Sequence, residues 1–253
     1  MKRSVSLLLS HALFLIAVLA LWQVASTTWG LSKLVLPEPA LVVGAWWRGW
    51  QTGYFATHLW QTVQEVLFGL GAGASIGWCG GLWLAEVPAL RRLAMPYVVL
   101  SQVVPKLALA PLFMVWFGLG MTSTVVIVAL ICFFPLLEST LTAVTKVDAQ
   151  RLDLFRMLGA TRWQTLWRLK IPAGLPGMLA GLRVAVVLAL VGAVVGEFIG
   201  ANQGLGAVII ASQGMMDTAL MFAALINITV LGWLLYAATL LLEHQLLQHH
   251  PHP

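Results

Sequence analysis

The chain has 253 residues, of which 60% are hydrophobic and only 9% charged. A soluble domain carries about 25% charge, so this composition excludes an ordinary soluble enzyme, a disordered chain and a disulfide scaffold. The formal net charge of +5 points to basic loops beside a membrane rather than to a nucleic-acid surface. Cys79 and Cys132 both sit in apolar runs and read as small hydrophobes, not as a bridge or metal pair.

A membrane-crossing helix needs about 20 mostly apolar residues. Six stretches qualify, and runs this long mean helices, because lipid leaves no other partner for the backbone. The first covers residues 5–25 and follows Lys2 and Arg3. It is either a retained span or a signal peptide with Val24 and Ser26 as its small-residue pair, and its length speaks for a span. The second, 61–84, carries Gly69, Gly71, Gly73, Gly77, Gly80 and Gly81, which permit close helix contact. The third, 93–118, is interrupted by Pro105 and Pro111. The remaining three cover 122–144, 175–199 and 219–242.

Segment 36–59, between the first two spans, places Trp46, Trp47, Trp50 and Tyr54 on one helical face. The expectation is an amphipathic helix in the outer interface, held by an aromatic belt; ring stacking on a ligand is the rival reading. With the N-terminus inside, Lys2, Arg3, Arg91, Arg92, Lys146, Arg151, Arg156, Arg162, Arg168 and Lys170 face inward, and only Lys33 and Arg48 face outward. Ten against two puts both termini and the 146–172 loop in the cytoplasm.

That loop is the one stretch dense in charge. It reads as two short helices. The first, 149–158, has Leu152, Phe155 and Leu158 along one side and stops at Gly159. The second is capped by Thr161 with Gln164 three residues on, a capping box, and is ended by Pro172. A helix pair with an apolar ridge and a glycine elbow suits a docked partner.

Residues Asp153, Leu154 and Phe155, then Gly159, then Leu169-Lys170-Ile171-Pro172, resemble the Glu-Ala-Ala-x3-Gly-x9-Ile-x-Leu-Pro loop motif of importer-type ABC transporter permeases. Both spacings match; Asp replaces Glu, and the bulkier Leu154 and Phe155 replace Ala-Ala. Pro105-Lys106 through Pro111, Trp116-Phe117-Gly118, Gly159-Ala160-Thr161-Arg162-Trp163, Gly181-Leu182-Arg183, Gly196-Glu197-Phe198 and Gly204-Leu205-Gly206 are similar to the nitrate/sulfonate/taurine permease subfamily over residues 30–243. The resemblance implies an all-α, type I importer-like permease in the bacterial inner membrane. Its expected partners are two ATP-binding cassette subunits, a second permease copy and a periplasmic or lipid-anchored binding protein, besides membrane lipid. The cargo would be a sulfonate-, nitrate- or taurine-like anion or a heterocyclic vitamin precursor.

On that reading the chain is one permease domain. Its parts are a first span (1–30), a periplasmic amphipathic segment (31–59), a core bundle (60–243) with the loop at 146–172, and a tail (244–253). The lever is Asp153, Leu154, Phe155, Gly159, Ala160 and Thr161, with Pro172 closing the motif. No Gly-Lys dipeptide exists, so no phosphate-cradling loop of that kind is present and ATP with Mg²⁺ belongs on a partner. No metal site is expected; His249, His250 and His252 read as a loose chain end.

Charges inside the membrane remain. Lys106 follows Pro105 at a depth of roughly 15–20 Å. It is either a pathway residue at a helix break or a neutralised, snorkelling lysine. Gln102 lies close by. Glu138 and Arg183 share a depth of roughly 9–12 Å from the inner side and are expected to form an ion pair. Glu197, Asn202 and Gln203 precede the 204–206 turn and read as a gate or as a capped helix end. A proton-coupled carrier using Glu138, Glu197 and Lys106 is the competing function.

Overall fold

The computed structural model describes residues 2–28, 32 and 34–248. Among these residues every regular element is helical: α1 (Lys2–Thr28), α2 (Pro39–Gln51), α3 (Tyr54–Glu86), α4 (Pro88–Val103), a 3₁₀ turn (Lys106–Leu109), α5 (Ala110–Phe117), α6 (Met121–Thr145), α7 (Ala149–Met157), α8 (Arg162–Thr165), a π turn (Leu166–Lys170), α9 (Ile171–Gly200), α10 (Leu205–Gly214) and α11 (Thr218–Leu247). Four helices are long and apolar enough to cross a membrane: α3, α6, the continuous 162–200 helix and α11. A fifth path is α4 with the 3₁₀ turn and α5, bent by 78°. The expected first span falls within α1, and His249, His250 and His252 lie outside the described residues.

The core is α3, α6 and α9, packed backbone against backbone. Gly73, Gly77 and Gly81 recur every four residues on α3 and so share one face. A Cβ there would come within 2.7–2.8 Å of the Ala129, Phe133 and Leu137 carbonyl oxygens of α6. On α9, Gly174 and Gly177 meet Ala143, and Gly181 meets Ser139. Lipid gives two apolar helices no hydrophobic reason to associate, so this close approach and its dispersion contacts carry the packing. The bundle thereby buries Val66, Val128, Cys132, Leu136, Ala185 and Ala189.

Three expectations change. First, the aromatic segment is not one face of one helix. α2 ends at Gln51, Gly53 takes φ +72°, and Tyr54 opens α3. Trp46 and Trp50 turn inward, and their indole N–H groups both donate to Asn227 Oδ1 of α11, at 3.2 and 3.1 Å. Only Trp47 of that set stays outward on α2, 58% exposed. The helix is held to the bundle through its 42, 45, 46 and 49 face. Second, the third span breaks once, at residues 104–105. Pro111 is the second residue of α5, in the first turn, where its missing N–H is tolerated. Third, Pro172 does not end the second loop helix. Ile171 N–H bonds Leu166 C=O, a π spacing, and the helix runs on through the proline to Gly200. Widening one turn absorbs the hydrogen bond that proline cannot make.

Candidate functional site

At one end of the bundle the 146–172 loop is built by local chemistry. Asp148 accepts from Gln150 N–H at 3.0 Å and starts α7. At the helix end Gly159 N–H bonds Arg156 C=O and Ala160 N–H bonds Phe155 C=O, each at 3.0 Å. That pair of bonds is a Schellman stop, and it places residue 159 in the left-handed region, where Gly159 has φ +69°. Thr161 and Gln164 then close the expected capping box, at 3.2 and 2.9 Å. The elbow is therefore a fixed turn between two capped helices.

The sequence expectation of an apolar ridge survives in altered form. Leu154, Met157 and Leu158 are 50%, 80% and 73% exposed, whereas Phe155 is half-buried. Asp153 pairs with Arg156 of its own helix at 2.9 Å, both side chains well exposed. Behind the elbow, Leu166 and Leu169 are buried, and Lys170 Nζ reaches Glu86 Oε1 at the end of α3, at 2.5 Å. Neither Glu86 nor this tie was among the sequence expectations.

The Glu138–Arg183 pair does not form. Arg183 lies two residues past Gly181, about 200° around α9, so it faces away from α6. Its Nε lies 3.2 Å from Glu243 Oε2 of α11. The N–H does not aim at that oxygen, making the contact one of charge rather than a directed hydrogen bond. Glu138 instead accepts from Thr142 of its own helix at 3.3 Å.

At the break in the bent path, Lys106 Nζ donates to Gln102 Oε1 at 2.6 Å. The Gln102 amide nitrogen is buried without a partner. The structure thus joins these two expected residues and leaves the Gln102 amide nitrogen unused beside a 3₁₀ turn whose Leu107 and Leu109 pack against Ala110, Phe113 and Ile127.

The end of the bundle opposite the loop holds a denser polar cluster. Glu197 is 1% exposed. Its Oε1 accepts from the Thr62 hydroxyl at 2.6 Å and its Oε2 from Gly206 N–H at 2.5 Å. Thr62 Oγ1 also accepts from Leu205 N–H at 2.9 Å, and His58 Nδ1 accepts from Gly204 N–H at 3.0 Å. Gly204 has φ +118°, and a Cβ on it would strike the Glu197 carboxylate. Three side chains of α3 and α9 thus satisfy the consecutive N–H groups at the start of α10, as helix N-termini require. Gln61 donates to Glu65 Oε1 at 2.8 Å, and Glu65 is fully buried. Sequence reasoning missed Glu65, although a carboxyl in an apolar helix is itself a signal. Beside the cluster a cavity of about 290 Å³ is lined by Gln61, Leu119, Gly120, Gly200, Ala201, Asn202 and Gln203. Asn202 and Gln203 are exposed there, while Glu197 lies behind them.

Fold and site together define a multi-helix membrane protein with a broken span, a buried polar cluster at one end and a loop of two capped helices at the other. The sequence profile of binding-protein-dependent transport system inner membrane components matches residues 73–248, and the chain belongs to that family. It is similar to the riboflavin transport system permease protein RibX of Chloroflexus aurantiacus, 36% identical over 92% of this chain and 87% of that one. The formylaminopyrimidine transport permease protein ThiX of Halalkalibacterium halodurans is 35% identical over 98% of both chains. The taurine transport system permease protein TauC of Escherichia coli is 30% identical over 93% of this chain and 88% of that one. In structure the chain is similar to the inward-facing MetNI methionine ABC transporter, with a TM-score of 0.66 over 74% of this chain and 93% of that one at 19% identity, which shows the same fold. The protein is the membrane-spanning permease subunit of an ABC importer. These findings give the carrier reading no support, and Glu138, one of its three relay residues, is hydrogen-bonded within its own helix.

Proposed function

We propose that α7 and the Gly159 elbow seat an ATP-binding cassette subunit, and that the complete importer holds two such subunits, two copies of this permease and a periplasmic or lipid-anchored binding protein. The lysine and arginine asymmetry puts the loop and both termini in the cytoplasm, so the polar cluster opens toward the periplasm. ATP and Mg²⁺ belong to the partner, which closes on nucleotide and pushes on the loop; this chain is the non-catalytic transport subunit. Because α8, the π turn and α9 form one continuous helix, a push at α7 passes through the elbow into the bundle core.

Gln102, Lys106, Glu197, Asn202 and Gln203 mark the route of a small solute. Two cargo classes fit. Resemblance to riboflavin and formylaminopyrimidine permeases favours a heterocyclic vitamin precursor; resemblance to a taurine permease, with Lys106 at the helix break, favours an anion.

The observation that carries the docking reading is the pair of capped helices presenting Leu154, Met157 and Leu158 to solvent. Co-purification with the ATPase subunit in detergent tests it. Asp153→Lys with Leu154→Arg removes the complex while leaving the melting temperature of the isolated permease unchanged, since both side chains are exposed. A complex that survives the double substitution overturns the reading.

A further inference from the structure

Two carboxyl groups meet out of water at the periplasm-facing end of the bundle, Glu65 on α3 and Glu197 on α9, at 0% and 1% exposure. Thr62, three residues before Glu65 on the same face of α3, donates to Glu197 Oε1 at 2.6 Å, which brings the two carboxyl groups together. Their remaining bonds are unequal. Glu197 accepts at both oxygens, from Thr62 and from Gly206 N–H. Glu65 accepts at Oε1 from Gln61, and its Oε2 is buried and receives no hydrogen bond.

Two ionised carboxylates this close and this dry repel strongly unless a cation sits between them. No lysine or arginine pairs with either group among the described residues. The ion pairs there, Asp153–Arg156, Glu86–Lys170 and Arg183–Glu243, involve neither group. His58 is the other titratable side chain in the cluster, and it accepts Gly204 N–H at Nδ1. An accepting Nδ1 carries no proton, so the ring is neutral. α5, α10 and the first turns of α6 contain no charged residue. One hydrogen settles both problems: it removes a charge and gives the orphaned Glu65 Oε2 a bond to make.

We propose that Glu65 is a neutral acid that donates its O–H to ionised Glu197, so that the pair holds one proton between them and Glu65 positions Glu197 as the anchor of the α9–α10 turn. The consequence is functional because Gln61, which donates to Glu65, also lines the 290 Å³ cavity with Asn202 and Gln203. Glu65 thereby sets the wall of the solute mouth without touching the solute. This rests on the reading that the cavity belongs to the translocation route.

The test uses the complete transporter, with its ATPase and binding protein, in proteoliposomes. Glu65→Gln keeps both the shape and a donor toward Glu197, and uptake stays at half of wild type or more. Glu197→Gln loses the carboxylate that takes three donors, and uptake falls more than tenfold. Equal damage from both, or equal tolerance of both, overturns the proposal. Should Glu197→Gln fail to assemble, infrared spectra decide: wild type shows the carbonyl stretch of a neutral carboxylic acid, and Glu65→Gln removes it. A spectrum that Glu65→Gln leaves unchanged also overturns the proposal. Failure of the route reading appears separately, as normal uptake by Asn202→Leu, Gln203→Leu with the infrared band intact.

Discussion

Gly159 and Asn227 each answer a demand that no other common side chain meets as well. At φ +69° a β-branched residue costs about 1–2 kcal/mol, and asparagine less. We expect Gly159→Val to weaken binding of the ATPase subunit about tenfold, the equivalent of about 1.4 kcal/mol, while Gly159→Asn stays near wild type; titration of the purified partner checks both. Asn227 Oδ1 takes two indole N–H groups at once. Asn227→Leu strands both half-buried donors, and thermal unfolding in detergent should report a loss of about 2 kcal/mol. Equal stability of the leucine variant would mean that water already serves those indoles. The sequence pointed clearly to Gly159, because a glycine between a helix pattern and a capping box has few other uses. It was silent on Asn227, whose partners lie 181 and 177 residues away.

Helix-scale contacts divide along the same line. The glycine recurrence of α3 was visible as a pattern, and the fold uses it as the α3–α6 contact. Gly77→Leu should prevent a folded bundle, since its first carbon already meets the Phe133 carbonyl at 2.7 Å. Gly71→Ala is the control: nothing lies within 4 Å of a Cβ there, and monodisperse protein is expected. The π turn and the Glu86–Lys170 tie were not legible, because Pro172 reads locally as a stop and only the packed bundle repays carrying a helix through it. That tie, with both side chains about 20% exposed, should couple by about 1–2 kcal/mol, between the surface and buried limits. Glu86→Lys and Lys170→Glu are each expected to lower the melting temperature, and the double reversal to restore most of it; independent effects would deny the tie. Arg183 teaches the complementary lesson. Matching its depth to Glu138 ignored rotation about the helix axis, and 200° of turn sends it to Glu243 instead.

For the whole molecule, composition announced a multi-span membrane protein, and the motif resemblances announced its family. What stayed hidden was the polar cluster behind Glu197, assembled from α3, α9 and the start of α10, because no local pattern relates residues 58, 62 and 65 to 197 and 204–206. The resulting account is of one continuous route: a rigid elbow at the loop, an unbroken helix from residue 162 to Gly200, and a clamped turn at the far end. The measurement that tests it most directly is solute uptake by the complete transporter in proteoliposomes, with and without ATP, for wild type and Gly159→Val at saturating ATPase subunit. The account predicts uptake only with ATP, and a sharp loss in the variant even when the complex is fully assembled. Uptake that proceeds without ATP, or that ignores the elbow once the subunits are bound, would contradict it.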